Sequence, residues 1–398
     1  MTMITSKALA FFSVALAGYL LMPVLATAQT GQQQSRRFAP GTCGPVDSTY
    51  IHLAEKSGGQ PMFLRPEEMA AAGHLMRSTT SSNSDTALWV ADNLSGEREF
   101  LIPLDSTIKR ATFSLSFNTP GTLMTLRQPS GAAVNSGEPG IELSDWTCGR
   151  IVSATRPAAG IWKVQLQGSG RFWLRVITDS ALFFVSVEFV RLGGRPGHQG
   201  LFRIPGQPLL GRPETLEVNL SGLLKKADFR LVSPSGETIQ HVRMEEQGAD
   251  REDHEFVGTL LLPPQPFRLA VSGLDAAGAS FERMYSTEFQ ATSIELIPTL
   301  HDEEVRAGAA SPVEFLVKNH GTADTFRVFA VDSLGSIVPS EPGELALPPG
   351  ASARLKVLLS VPASTPAGKS VTLTVTVTGT ANPAAVNYAI VELAVAAH

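Results

Sequence analysis

A chain of 398 residues exceeds one ordinary domain, and all-β modules of about 100 residues would divide it into three or four. Hydrophobic content of 43% with 17% charged residues excludes a disordered tail protein, and a net charge of -5 without any cluster of Lys and Arg excludes nucleic acid as a partner. Its 35 Gly and 27 Pro break the chain too often for long helices, which leaves short strands and many turns.

In chain order, Lys7 precedes an apolar run over residues 8–25 that ends in Ala26-Thr27-Ala28. This is the pattern of a secretory signal peptide over residues 1–28 with an A-x-A cleavage site, and an uncleaved anchor is the alternative. No later segment is apolar for long enough to span a bilayer, so the mature chain is expected to be secreted, either extracellular or periplasmic. Residues 29–44 are Gln, Arg, Gly and Pro without periodicity and read as a flexible leader. In an oxidising compartment the two cysteines, Cys43 and Cys148, are the candidate disulfide. A buried thiol and a leader thiol are the other reading.

Residues 45–86 read as a small helix-strand-helix segment. Asp47-Ser48-Thr49 caps a helix that runs through Lys56, Gly58-Gly59 stops it, residues 61–64 are extended, and Pro66-Glu67-Glu68 opens a second helix. The segment holds too little apolar surface to fold alone.

Beyond Leu88 the period changes to two. Trp162, Val164 and Leu166 alternate with polar residues, and Phe172, Leu174 and Val176 come after Gly168-Ser169-Gly170, which reads as a hairpin turn. Val371, Leu373, Val375 and Val377 interleave with threonines in the clearest strand of the chain. The turn Pro129-Ser130-Gly131 recurs as Pro234-Ser235-Gly236, each after an apolar strand. These patterns give a mainly β fold of tandem immunoglobulin-like sandwiches over residues 87–192, 193–294 and 295–398.

The chain resembles a known family at several collinear places. Tyr50-Ile51-His52-Leu53-Ala54-Glu55-Lys56-Ser57-Gly58-Gly59, with Phe63 and Pro66-Glu67-Glu68, is similar to the end of a von Willebrand factor A domain. Ile102-Pro103-Leu104-Asp105, then the stretch from Arg156 to Trp162, then Pro266-Phe267-Arg268-Leu269 with Gly273-Leu274-Asp275-Ala276-Ala277-Gly278, resemble the segment after that domain in hemicentins and in von Willebrand factor A domain-containing protein 7. The resemblance implies a β-sandwich stalk behind a remnant of the A domain. It does not extend to the adhesion metal, which needs Asp-x-Ser-x-Ser after the first strand. Asp332-Ser333-Leu334-Gly335-Ser336 has Leu at a required Ser and lies far too late.

Motifs for chemistry are sparse. The chain lacks Gly-x-Ser-x-Gly, His-Glu-x-x-His and Cys-x-x-Cys. Glu245, Glu246, Asp250 and Asp253, around His254, offer hard oxygen ligands suited to Ca2+, although the spacing fits no EF-hand and a solvated loop explains the same residues. Trp162 is in phase with the core. Trp173 is in the other phase, an outward position that would serve an array of carbohydrate-binding modules. The leading expectation is a non-catalytic protein for cell-surface or matrix interaction or spacing, with a protein or glycan ligand and no resident cofactor. An exported esterase or peptidase with a Ser/His/Asp site assembled from distant loops is the rival.

Overall fold

The computed structural model describes residue 43 and residues 48–79, 83–194, 197, 199–250, 253–299, 304–338 and 343–396. The expected signal peptide and leader, and Asp47 of the first helix cap, lie outside the described residues. Two helices come first, α1 (Ser48–Lys56) and α2 (Met69–Thr79), with a 3-10 turn at Pro66–Glu68 leading into the second. Pro66 suits a first turn because its missing N–H has no partner there to lose. Glu68 closes that turn by accepting the Arg65 N–H at 3.0 Å, and ties it to the sheet by accepting the N–H and hydroxyl of Thr147 at 2.8 and 2.5 Å.

The strand expected at residues 61–64 joins no sheet among the described residues, so the segment is helix, linker, helix. The linker's polar groups go to the face of the first sandwich instead of to a ladder. Pro61 accepts the Ser116 hydroxyl at 2.6 Å, Gln60 donates to the Trp173 carbonyl at 2.9 Å, and the Phe63 ring lies 5.4 Å from that of Trp173.

The next six elements are β1 (Ser84–Leu104), β2 (Arg110–Phe117), β3 (Leu123–Arg127), β4 (Ile141–Trp146), β5 (Gly149–Thr155) and β6 (Gly160–Asp179). β1 and β6 pair antiparallel from Ser84↔Asp179 to Leu104↔Gly160. Gly168-Ser169-Gly170 is therefore not a hairpin turn. It lies inside β6 where that strand changes partner, from β3 at residues 163–167 to β2 at residues 172–179. The glycines are required because the loop after β2 crosses their backbone: a Cβ at Gly168 would come within 2.8 Å of Thr122 and one at Gly170 within 2.4 Å of Thr119.

The middle of the chain adds β7 (Phe183–Gly193), β8 (Gly200–Arg203), β9 (Pro213–Ser221), β10 (Leu224–Val232), β11 (Thr238–Val242), β12 (Glu245–Asp250), β13 (Asp253–Leu261), β14 (Arg268–Asp275) and β15 (Ser280–Met284). They divide between two sheets. One has the order β12-β13-β9-β7-β8. The other continues the first sandwich as β11-β10-β14-β15-β1-β6-β2-β5-β4, with β3 also on β6. Its two halves meet through Thr86↔Met284 and through the Ala91 N–H on the Pro234 carbonyl at 2.9 Å. The border expected after residue 192 differs from this pairing. β7 runs to Gly193 but pairs with β8 and β9, and the second core already begins at Leu182.

The last sandwich comprises β16 (Ile294–Pro298), β17 (Glu304–Val305), β18 (Ala310–Asn319), β19 (Asp324–Asp332), β20 (Ile337–Val338), β21 (Glu344–Leu347), β22 (Ser352–Ser360), β23 (Ser370–Gly379) and β24 (Val386–Val395). Its sheets are β16-β18-β22-β20 and β17-β24-β23-β19-β21. The valine-threonine alternation of β23 places Val371, Leu373, Val375 and Val377 against Phe315, Leu355 and Leu359, all buried. Each such side chain contributes roughly 1.5–3 kcal/mol on burial.

Candidate functional site

Charged side chains normally stay at the surface, so the fully buried ones mark the places where this fold is most constrained. They lie at the seams between modules. At the first seam the Arg268 guanidinium lies 3.7 Å from the centre of the Trp89 ring, donates from Nη2 to the Glu55 carbonyl at 2.6 Å and from Nε to the Ser286 carbonyl at 3.1 Å. Its Nη1 rests 3.4 Å from Glu288, which also pairs with Lys56. Burial pulls the Arg268 guanidinium down to about 10, against the pull of Glu288, which still leaves it charged at neutral pH. The Glu55 carboxylate accepts from Arg171 at 2.6 Å and from the Trp173 indole at 2.8 Å, while the Trp89 indole donates to the Gly59 carbonyl at 2.9 Å. One network thus ties α1 to both halves of the long sheet.

The second seam is the fully buried pair Arg283 and Asp105, at 2.5 Å. Arg283 also donates to the Leu182 carbonyl and the Ser180 hydroxyl, each at 2.9 Å, and Asp105 accepts the Thr107 N–H and hydroxyl. Next to it, Asp85 accepts the N–H groups of Phe184 and Thr86, each at 2.8 Å. Burial pushes the Asp85 carboxyl up to about 6, and the Phe184 N–H and Arg283 oppose that rise without cancelling it. Asp275 closes the seam by accepting the Ser106 N–H at 3.0 Å and the Ser106 hydroxyl at 2.5 Å.

The third seam joins the second and last sandwiches. Arg191 on β7 meets Glu295 on β16 at 2.5 Å, and His320 reaches the other oxygen of Glu295 at 2.8 Å. Burial raises the Glu295 carboxyl, but the hydrogen bonds from His320 and Arg191 outweigh it and hold the group below the usual range. Asn387 accepts the Gln207 N–H at 2.7 Å and donates to the Ile294 carbonyl at 2.8 Å. Gly206 is required beside it, since a Cβ there would lie 2.1 Å from the Tyr388 carbonyl.

The residues singled out from sequence are not gathered into one site. Cys43 and Cys148 are bonded, with Cα atoms 5.6 Å apart, and fasten the amino-terminal segment at the turn between β4 and β5. Glu245, Glu246 and Asp253 lie on the β12–β13 hairpin, where Glu246 is bonded to His254 at 2.7 Å and Glu245 pairs with Arg243 at 3.5 Å. The backbone of Asp250 belongs to that hairpin, but its side chain lies outside the described residues. Among the described residues no group of three or more His, Cys, Asp and Glu converges in a way that could hold a metal. Trp173 is buried, contrary to the outward position expected from its phase, because the amino-terminal segment covers that face with Phe63 and Glu55. Trp89, Trp146 and Trp162 are buried too, so no tryptophan offers a platform for sugar. Asp332 in Asp332-Ser333-Leu334-Gly335-Ser336 accepts the N–H groups of Leu334, Ser336 and Ile337 and the Ser336 hydroxyl, which makes it the organiser of a β-turn.

Among the described residues a Ser–His contact occurs at His74. His74 Nε2 lies 3.1 Å from the Ser153 hydroxyl and 3.5 Å from the Glu142 carboxylate. Ser153 and Glu142 both meet the ring at Nε2, whereas a triad places serine and carboxylate on opposite ring nitrogens. Ser153 is also buried beneath α2, with Thr112 at 3.1 Å. Burial lowers the His74 pKa and outweighs the opposing Glu142, so the ring is neutral at pH 7 and serves to fasten α2 to the sheet.

Sequence reasoning did not single out Arg268, Arg283 and Asp105 as seam residues. A signal existed for Arg283: it shares the apolar phase of β15 with Phe281, and a charge in the inward phase of a strand needs a buried partner.

Comparison with known proteins agrees with the resemblance read from the sequence. Residues 86–181 match the family described as hemicentin galactose-binding domain-like, and residues 296–397 match the VWA7 Ig-like domain. Hemicentin-1 of Mus musculus is 26% identical over 248 residues, which is 60% of this chain and 4% of that protein. Hemicentin-2 of Mus musculus is 22% identical over 287 residues, 69% of this chain and 6% of that protein. The chain thus spans only a small part of the length of these relatives. Among solved structures, the propeptide form of Bacillus licheniformis lipase BlEst2 superposes with a TM-score of 0.26 and 15% identity over 53% of this chain and 44% of that chain, a likeness too loose to carry an argument. Two segments of the chain, residues 86–181 and 296–397, are therefore similar to a hemicentin galactose-binding domain-like module and to a VWA7 Ig-like domain respectively.

Proposed function

We propose that this chain is an exported, non-catalytic spacer of three sandwiches, bordered near residues 181 and 293, that holds binding surfaces at fixed positions at a cell surface or in an extracellular matrix. The observation that carries this reading is the placement of the buried charges. Arg268 and Arg283 are spent on the seams, where they join backbone carbonyls and carboxylates from distant parts of the chain. Removing one partner of such a buried pair costs about 3–5 kcal/mol, so these groups favour the single arrangement of modules in which they are paired. The hemicentin-like and VWA7-like segments support the same reading, with a protein or glycan as the bound partner.

The test is a panel of ester, peptide and glycoside substrates and then a serine-reactive fluorophosphonate on the mature chain. Neither turnover nor labelling is expected. Stoichiometric labelling of Ser153 that disappears in His74→Ala would establish a hydrolase and overturn the proposal.

A further inference from the structure

The outer face of the β12-β13-β9-β7-β8 sheet is divided by chemistry. Directly opposed residues of antiparallel strands point to the same face. Leu201 on β8 opposes Leu192 on β7, and Pro213 on β9 opposes Leu261 on β13. Leu192 and Pro213 each stand two residues beyond the opposed pair Val190 and Thr215. The four form one apolar row across four strands, with Leu192 75%, Leu261 58% and Leu201 40% exposed. The core residues Phe189, Leu216 and Leu260 lie in the opposite phase.

Four residues further along β7 and β9 the face becomes acidic. Glu188 opposes Glu217, and Glu255 lies on β13 opposite Asn219. Glu188 has Arg203 at 3.7 Å, but among the described residues neither Glu217 nor Glu255 has a basic partner. Burial, then the neighbouring Glu255 and Glu188, raise the Glu217 carboxyl, as expected of carboxylates that lack counter-charge. At about 3.3 Å per residue the apolar and acidic rows are about 13 Å apart. The face is also held in place, because Arg191 and Arg212, the neighbours of Leu192 and Pro213, grip Glu214, and Arg191 bonds to Glu295 of the last sandwich.

We propose that this face docks a basic amphipathic segment of a partner protein, which sets apolar side chains on the leucine row and Lys or Arg on the carboxylates. The proposal deepens the reading of the chain as a non-catalytic spacer and rests on it for the idea that the molecule works by contact. The substrate and labelling panel tests that reading, while the binding experiment tests the face, so each can fail alone.

The experiment uses the mature chain and two fluorescein-labelled synthetic peptides, one alternating Leu and Lys and one alternating Leu and Glu, read by fluorescence anisotropy at low and high salt. The Leu-Lys peptide is expected to bind, more weakly at high salt, and the Leu-Glu peptide is not. Leu192→Ser and the double variant Glu217→Gln/Glu255→Gln should each weaken binding about tenfold. Both should keep the wild-type circular dichroism, and Glu344→Gln on the last sandwich should bind as wild type. Failure of the Leu-Lys peptide to bind, or equal binding to all variants, would overturn the proposal. So would equal binding of the Leu-Glu peptide, or gel-filtration dimers that Leu192→Ser abolishes, because a second copy would then occupy the row.

Discussion

Asp85 and Arg283 show how differently two buried charges act on stability. Burial pushes the Asp85 carboxyl up to about 6, so the folded chain holds that proton more tightly than the unfolded chain, where an aspartate titrates near 3.9. The contribution of Asp85 is therefore fully present below about pH 4 and is lost as pH rises through about 6, a change of roughly 3 kcal/mol. Asp85→Asn should remove this slope. Calorimetric unfolding from pH 4 to 7 should show wild type losing ground against the variant as pH rises, and parallel curves would contradict the assignment. Arg283 acts through its partner. Arg283→Met leaves Asp105 buried without its counter-ion and should cost about 3–5 kcal/mol in denaturant unfolding, whereas Arg283→Met/Asp105→Leu should recover much of that loss. A double variant no more stable than the single one would show that the pair is not the controlling interaction.

At the scale of elements, alternation made β23 legible, because its threonines face solvent and its valines face one core, which is the case that a period of two describes. Alternation misplaced Trp173 for a physical reason. Phe172, Trp173, Leu174 and Val176 are all buried, since β6 has a core on one side and the amino-terminal segment on the other, and phase cannot reveal a cover supplied by a different part of the chain. Gly168-Ser169-Gly170 misled in a related way. Glycines serve a turn or a close approach equally well, and only the position of Thr119 and Thr122 tells which is needed. Gly170 has φ +95° and no room for a Cβ, so Gly170→Ala should cost about 1–3 kcal/mol. Gly96 has φ +88° but open space around it, so Gly96→Ala should carry the backbone strain alone and lose less. Equal losses in thermal unfolding would place the whole effect in the backbone.

At the scale of the molecule, the mainly β character was legible in the strand periods, and the hemicentin-like and VWA7-like segments in their collinear motifs. The sharing of one sheet by β1 and β15 was not, because the two strands lie far apart in the chain and each alone reads as an ordinary strand. Nor were the seams, since Arg268 and Arg283 acquire partners only once helix, linker and hairpins have come together. The seams carry the central claim that the three sandwiches form a single stiff spacer. Small-angle X-ray scattering from the mature chain measures this most directly. The expected result is one maximum dimension and one profile, equal to that calculated from the structure and little changed between low and high salt, because Arg268, Arg283 and Asp105 are buried and the 37% exposed Arg191 holds a Glu295 that is only 10% exposed. A profile that fits only a broad set of module orientations, or one that expands with salt, would contradict it.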